Sequence, residues 1–111
     1  MTAAPTTAFA ALADPTRSEI VDLLARRGEL AAGDISAGFV SSASAISQHL
    51  KVLREAGLVT VEKRAQHRVY RLDAGAIREV GSWLSDRAGL WNARLDNMAA
   101  YLEKTRAEEK K

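Results

Sequence analysis

Of all the segments in this 111-residue chain, the run Ser42-Ala-Ser-Ala-Ile-Ser-Gln-His-Leu-Lys-Val-Leu-Arg-Glu-Ala-Gly-Leu-Val59 leaves the fewest options. Its ends are marked and its middle is periodic. A serine such as Ser42 caps a helix by accepting a hydrogen bond from a free backbone N–H of the first turn. Gly57 suits the left-handed conformation that stops a helix, with Leu58 folding back on the last turn. Between them Ile46, Leu50 and Leu53 recur at spacings of four and three and form one apolar stripe. The other face carries Ala43, Ser44, Ser47, Gln48, Lys51 and Arg54, polar, basic and free of bulk near its N-terminus. The stretch predicts a helix with one buried face and one face fit to press against a large anion, as a DNA-recognition helix does.

Charge points the same way. The net charge is only +2, but residues 1–41 sum to −2, residues 42–72 to +4 and residues 73–111 to zero. The positive segment sets Lys51, Arg54, Lys63, Arg64, Arg68 and Arg71 against Glu55 and Glu62. Such a patch is the footprint of a phosphate-binding surface, although a merely solvated basic face has the same totals. The chain has no cysteine, which excludes disulfides, thiolate metal sites and cysteine nucleophiles and fits a reducing cytoplasm. Length and composition fit a single globular domain over residues 1–111. The start, Met1 to Thr7, has no basic region and no apolar run, so neither a signal peptide nor a membrane span is expected.

Taken in order, a first short helix starts at Thr6 or Thr7 and passes Phe9, Leu12 and Ala13. Asp14-Pro15 opens a second, since Asp is a favoured N-cap and Pro fits the first helical position. Ile20, Leu23 and Leu24 are its inward stripe, Arg26 and Arg27 suit its C-terminal dipole, and Gly28 ends it. Glu29-Leu30 is a candidate edge of a small sheet. Ala31 to Ala37 reads as a third helix with Ile35 inward, ended by Gly38. A turn at Val40-Ser41 leads into the Ser42 helix, so residues 31–56 form a helix-turn-helix. From Leu58 to Leu72 the period changes to two, which reads as a hairpin. Its tip lacks Asn-Gly and Asp-Gly, so a loose, mobile loop near Ala65-Gln66 is expected. A basic hairpin after a recognition helix is a wing.

Beyond Ala74, Ile77, Val80, Leu84, Trp91, Leu95, Met98 and Leu102 recur at threes and fours, close to a heptad seam. Gly89 either breaks this helix in two or bends it, and the charged tail from Arg106 is expected to fray. The stripe is long for so short a chain. We expect residues 1–13 and 74–106 to bury it against a second copy, through Phe9, Leu12, Ile77, Val80, Leu84, Trp91, Leu95, Met98 and Leu102. The expected fold is mainly α with a small hairpin, a winged helix-turn-helix of order α-α-α-α-β-β-α-α, homodimeric through its first and last helices. Folding back of the last helices on their own domain is the alternative.

Leu12-Ala-Asp-Pro-Thr-Arg17 with Ile20 and Leu23-Leu24, the block Ile46 to Val59, and Val69-Tyr-Arg-Leu72 together resemble the ArsR/SmtB winged-helix repressors. Trp91-Asn-Ala-Arg-Leu-Asp96 with Tyr101-Leu102 looks like the SdpR-like branch, which lacks the usual metal sites. The resemblance implies a dimeric bacterial transcription regulator, usually a repressor that leaves its operator when a signal arrives. Arsenic-sensing members carry Cys-x-Cys in the third helix, where this chain has Ala31 and Gly33. Zinc- and cobalt-sensing members use Asp and His of the fifth helix; Asp73, Glu79 and Asp86 are present here, but no His follows His67. No metal and no cofactor are therefore expected. Many relatives also carry a glycine in the wing where Ala65-Gln66 stands.

For DNA, the expected contacts are Ser42, Ala43, Ser44, Ser47 and Gln48 at phosphates or base edges, with Gln48 able to pair bidentately with adenine. Lys51, Arg54, Arg64 and Arg68 are phosphate candidates, and Gln66 and His67 lie at the wing tip. His49 either seats the helix or touches a phosphate; His67 either meets DNA or is solvated. Ser42, Ser44 and Ser47 lack a Gly-x-Ser-x-Gly frame, and Gly28 with Gly33 is followed by Asp34-Ile35 where a P-loop needs Lys-Ser, so an enzyme is not expected. The expectation is a cytoplasmic regulator that binds a palindromic double-stranded operator as a dimer and, as the resemblance implies, acts as a repressor. Two alternatives stay open: a signal delivered by a partner protein or an atypical metal site, and a winged-helix module that binds protein without DNA.

Overall fold

The computed structural model describes residues 5–109. The start of the 1–13 segment, including Met1 to Ala4, and the final Lys110 and Lys111 lie outside the described residues. The elements are α1 (Pro5–Leu12), α2 (Pro15–Arg27), β1 (Glu29–Ala31), α3 (Ala32–Ala37), α4 (Ala43–Glu55), β2 (Val59–Arg64), β3 (His67–Leu72) and α5 (Ala74–Glu109). They form two compact units, one up to Val80 and one from Gly81 onward.

The first unit is built around α4, and both ends of that helix close as its sequence dictates. Ser42 stands in extended conformation, and its Oγ accepts from the Ala45 N–H at 3.1 Å. At the other end Gly57 has φ +79°. The Gly57 N–H donates to the Arg54 carbonyl and the Leu58 N–H to the Leu53 carbonyl, each at 3.0 Å. This paired closure satisfies carbonyls the helix would otherwise leave open, and it stacks Leu58 on Leu53. Ile46, Leu50 and Leu53 are buried with Ala8, Ala11, Ile20, Leu24, Ile35, Ala56, Leu58, Val59 and Tyr70 in one core.

The other helices are held by similarly local signals. Asp14 caps α2 by accepting from the Arg17 N–H at 3.0 Å, Pro15 follows at the first helical position, and Gly28 ends the helix at φ +87°. Leu23, expected in the stripe beside Ile20 and Leu24, is only half-buried. Asp73 caps α5 through the Ala76 N–H at 3.0 Å, and its own N–H donates to the Leu58 carbonyl at 2.9 Å. The start of α5 is thereby tied to the closure of α4.

The sheet departs from a bare hairpin. It has three strands in the order β1-β3-β2, all antiparallel. Residues Glu29, Leu30 and Ala31 pair with Arg71, Tyr70 and Val69, so Ala31 belongs to a strand and α3 begins one residue later. Three residues are too few to show a period; the neighbouring strand supplies their order.

Two further expectations are corrected. Helix α5 runs unbroken from Ala74 to Glu109, so Gly89 neither splits it nor ends it, and Arg106 to Glu109 are helical. The element order is therefore α-α-β-α-α-β-β-α. The wing tip is also not a loose loop. Arg64 pairs with His67, leaving Ala65-Gln66 as a tight connection. Ala65 has φ +55° and is the sole non-glycine with positive φ among the described residues. Positive φ at the first central position alone is the pattern of a type II′ turn, whose twist matches that of the strands it joins. The strands thus impose a conformation that the alanine resists.

That strain is testable. A left-handed residue bearing a Cβ costs ~1–2 kcal/mol, and the greater unfolded-state freedom of glycine offsets ~0.5–1 kcal/mol of the relief. Ala65→Gly is expected to stabilise the fold by about 0.5–1 kcal/mol, raising Tm by about 2–6 °C. Thermal denaturation followed by circular dichroism checks this, and a lowered Tm contradicts the strained turn.

Candidate nucleic-acid interface

Helix α4 buries its stripe and leaves Ser42, Ala43, Ser44, Ser47, Gln48, Lys51 and Arg54 exposed. The five residues Gly38 to Ser42 connect it to α3, and within them Val40 is fully exposed. Gln66, His67 and Arg68 are exposed on the wing.

The decisive geometry lies where helix and wing meet. On β3, Arg68, Tyr70 and Leu72 share the face directed toward the helices, because side chains alternate along a strand. Arg68 and Tyr70 therefore come against the exposed side of α4. Ser47, Gln48, Lys51, Arg54, Arg68 and Tyr70 line one cleft of ≈ 120 Å³. Three of the six are cations, none is an acid, and none of the three cations pairs with a carboxylate among the described residues. Uncompensated positive charge beside two polar side chains has the chemistry that phosphate oxygens require.

Arg64 has a different setting. Its guanidinium donates to both carboxylate oxygens of Glu29, at 2.6 and 3.2 Å, and to Glu62 at 2.9 Å. The hydrogen bonds from Arg64 hold the Glu29 carboxyl below its ordinary value of 4.5 and keep the guanidinium firmly protonated. Arg64 bridges β2 to the edge strand β1 and is already engaged by two acids. In sequence it looks equivalent to Arg68. Strand alternation and the edge strand separate them.

His49 points away from the cleft. Its Nδ1 lies 3.4 Å from Arg17 Nη1 and 3.8 Å from Asp14 Oδ2. A neutral ring with its proton on Nε2 accepts from Arg17; a protonated ring faces Asp14. Arg17 Nε also donates to the Ala11 carbonyl at 2.6 Å. The Asp14 carboxyl is held below its ordinary 3.8 chiefly by the Arg17 backbone N–H, with smaller help from the charge of His49 and Arg17. His49 thus seats α4 on the α1–α2 corner. The sequence offered Asp14 as a cap but no local sign that Arg17 and His49 meet 32 residues apart. Tyr70 was likewise missed, being legible only as one residue of an alternating strand.

No cluster of His, Cys, Asp or Glu suited to a metal ion occurs among the described residues. None of their helices is long and apolar enough to cross a membrane.

Residues 14–61 match the family described as bacterial regulatory protein, arsR family. Over 99 residues the chain is 47% identical to the HTH-type transcriptional regulator Rv2034 of Mycobacterium tuberculosis, covering 89% of each. Over 76 residues it is 36% identical to the transcriptional repressor SdpR of Bacillus subtilis, covering 68% of this chain and 83% of SdpR. The chain belongs to the ArsR family of bacterial regulatory proteins. Within that family its winged helix-turn-helix is similar to the solution structure of a homodimeric winged helix-turn-helix DNA-binding domain from Mycobacterium bovis. The TM-score is 0.62 at 26% identity, over 76% of this chain and 77% of that one. As an ArsR-family transcriptional regulator, the chain carries α4 as the second helix of the helix-turn-helix and β2–β3 as the wing.

The Arg64 bridge makes a pH prediction for this regulator. The Glu29 carboxyl is depressed, so its contribution is complete above pH 4.5 and is lost as pH falls through the lower folded value. Glu29→Gln is expected to be less stable than wild type at pH 7, with the gap closing as pH falls below 4.5 and through the lowered value of the folded state. Urea midpoints measured across that range decide it. A gap that stays constant as pH falls below 4.5 removes the bridge as its cause.

Proposed function

We propose that this regulator binds double-stranded DNA as a homodimer and acts as a repressor at a palindromic operator. The observation that carries the reading is the cleft between α4 and the wing, with Lys51, Arg54 and Arg68 unpaired beside Ser47 and Gln48. Ser42, Ala43, Ser44, Ser47 and Gln48 approach phosphates and base edges in the major groove. Lys51, Arg54 and Arg68 hold phosphates and set the register, and Gln66 and His67 extend the contact along the wing. Arg64 is assigned to holding the wing on β1 ahead of any phosphate. The reading places the protein with bacterial DNA in the cytoplasm and gives it no catalytic role.

The dimer rests on α5. Leu84, Trp91, Leu95, Met98 and Leu102 are each at least half exposed and repeat at heptad-like spacing. Burying such side chains is worth ~1.5–3 kcal/mol each, so a facing copy of the same seam is strongly favoured. The Mycobacterium bovis domain is homodimeric. Ile77, Val80 and Leu12 already pack on the core of the first unit, and Phe9 is half-buried. A C2 pair presents two copies of α4, which is why the operator is expected to be palindromic.

Gln48→Ala is expected to lose roughly 1–3 kcal/mol on the operator and little on random duplex, whereas Arg68→Ala weakens both and lowers the salt slope by about one. Fluorescence anisotropy over a salt series measures both. Equal losses for Gln48→Ala on operator and random DNA remove its base-reading role, and an unchanged slope removes Arg68 from the phosphate set.

For the seam, sedimentation velocity at micromolar concentration is expected to show a dimer. Leu95→Asp is expected to weaken association by at least about tenfold, since it replaces buried apolar area with a charge. A wild-type monomer overturns the two-half-site reading.

A further inference from the structure

Behind the phosphate cleft lies a second hollow, of ≈ 170 Å³, between α3, α4 and β3. Its walls include Ala32, Gly33, Ile46 and Leu50, and carbon dominates them. Arg68 and Tyr70 line this hollow and the phosphate cleft alike. No acidic residue lines either.

Tyr70 is the unusual member. It is only 6% exposed, yet its hydroxyl makes no hydrogen bond among the described residues. Nearly every hydroxyl so deep in a protein has a partner. No fully enclosed side-chain polar atom of the described residues lacks one, so this hydroxyl is not sealed from solvent. Arg68 is also without a carboxylate partner. A donor and a cation without partners among the described residues therefore both line one carbon-walled space.

We propose that this hollow binds a small carboxylic acid with a compact ring, of the size and charge of benzoate, and that its occupation excludes DNA. The size follows from volume: a cavity of ~150 Å³ with apolar walls accepts a benzene ring. The charge follows from the polar groups: the carboxylate takes the Tyr70 hydroxyl as a hydrogen-bond donor and Arg68 as its counter-ion. An uncharged ring leaves both unmet, and acetate leaves the hollow empty. Exclusion of DNA follows from sharing, because Ser47 and Arg68 border both spaces and an anion on Arg68 occupies one of the three cations of the phosphate cleft. The ligand site stands on the cavity alone; its effect on DNA rests on the proposed function.

The test is a titration of the full DNA-free protein by isothermal calorimetry and by two-dimensional NMR. Benzoate is expected to bind saturably with shifts confined to α3, α4 and β3, and acetate and benzyl alcohol at least tenfold more weakly. Tyr70→Phe keeps the ring in the core and removes only the hydroxyl; it is expected to weaken benzoate at least fivefold. Ser36→Leu, which fills the hollow from α3, is expected to abolish binding. Absence of saturable binding up to about 10 mM benzoate, equal binding of acetate, or indifference to both variants overturns the site. In anisotropy, saturating benzoate is expected to raise the apparent Kd for operator DNA at least fivefold in wild type and not in Ser36→Leu. Benzoate that binds without displacing DNA overturns the exclusion. A protein that binds benzoate but no DNA at all overturns the proposed function and leaves the cavity assignment standing.

Discussion

The chain reversal at Gly57 is the constraint on which the reading unit depends. Gly57 at φ +79° lets the Leu58 N–H return to the Leu53 carbonyl, and the Leu58 carbonyl then receives the Asp73 N–H. One residue thus closes α4, enters β2 and anchors the start of α5. Leu53, Leu58 and Val59 are all buried, so the turn is welded to the core as well as hydrogen-bonded. A residue with a Cβ at Gly57 would load this junction with strain at the point where three elements meet. The junction also fixes how β2, and through it β3, lies against the exposed side of α4. The cleft that gathers Lys51, Arg54 and Arg68 is a consequence of that angle, not of any contact among the cations themselves.

Those cations also show why charge counted along a sequence misleads at single positions. Lys51, Arg54, Arg64 and Arg68 all lie in the one positive segment. Arg68 faces α4 and pairs with no acid among the described residues; Arg64, across the wing, is held by Glu29 and Glu62. Glu29 lies 35 residues earlier and reaches Arg64 only because β1 joins the sheet. Partners brought together by an edge strand of three residues are invisible to any local pattern.

The same distinction separates what was legible from what was not. The α4 caps, its stripe, the Asp14-Pro15 start and the α5 seam are local or periodic signals, and the chain repeats them at fixed spacing. The tight wing turn was legible only in part. The position of the turn at Ala65-Gln66 was legible from the change of period on either side, but the absence of a favoured turn pair suggested looseness where the strands enforce a tight connection. Gly89 is a helix weakener of ~1 kcal/mol, too little to break a helix of 36 residues. The Arg17–His49 contact and a Tyr70 hydroxyl without a partner among the described residues arise from tertiary packing alone and leave no periodic trace.

Regulation of a DNA-binding surface needs an effector that distinguishes the bound protein from the free one. A distant sensor must transmit that difference through an element with two arrangements. A ligand seated where helix and wing adjoin needs no such element, because it and the phosphate claim the same guanidinium. In that proposal the coupling is set by what Arg68 contributes to DNA binding, and it is reciprocal: DNA opposes the ligand as much as the ligand opposes DNA. Helix α5 remains free to serve assembly. In the proposed dimer two reading units bind as one, so losing a single cation per copy is felt twice on each operator. A modest loss at Arg68 is thereby squared at the level of the dimer, which makes a shallow, weakly binding hollow sufficient as a switch.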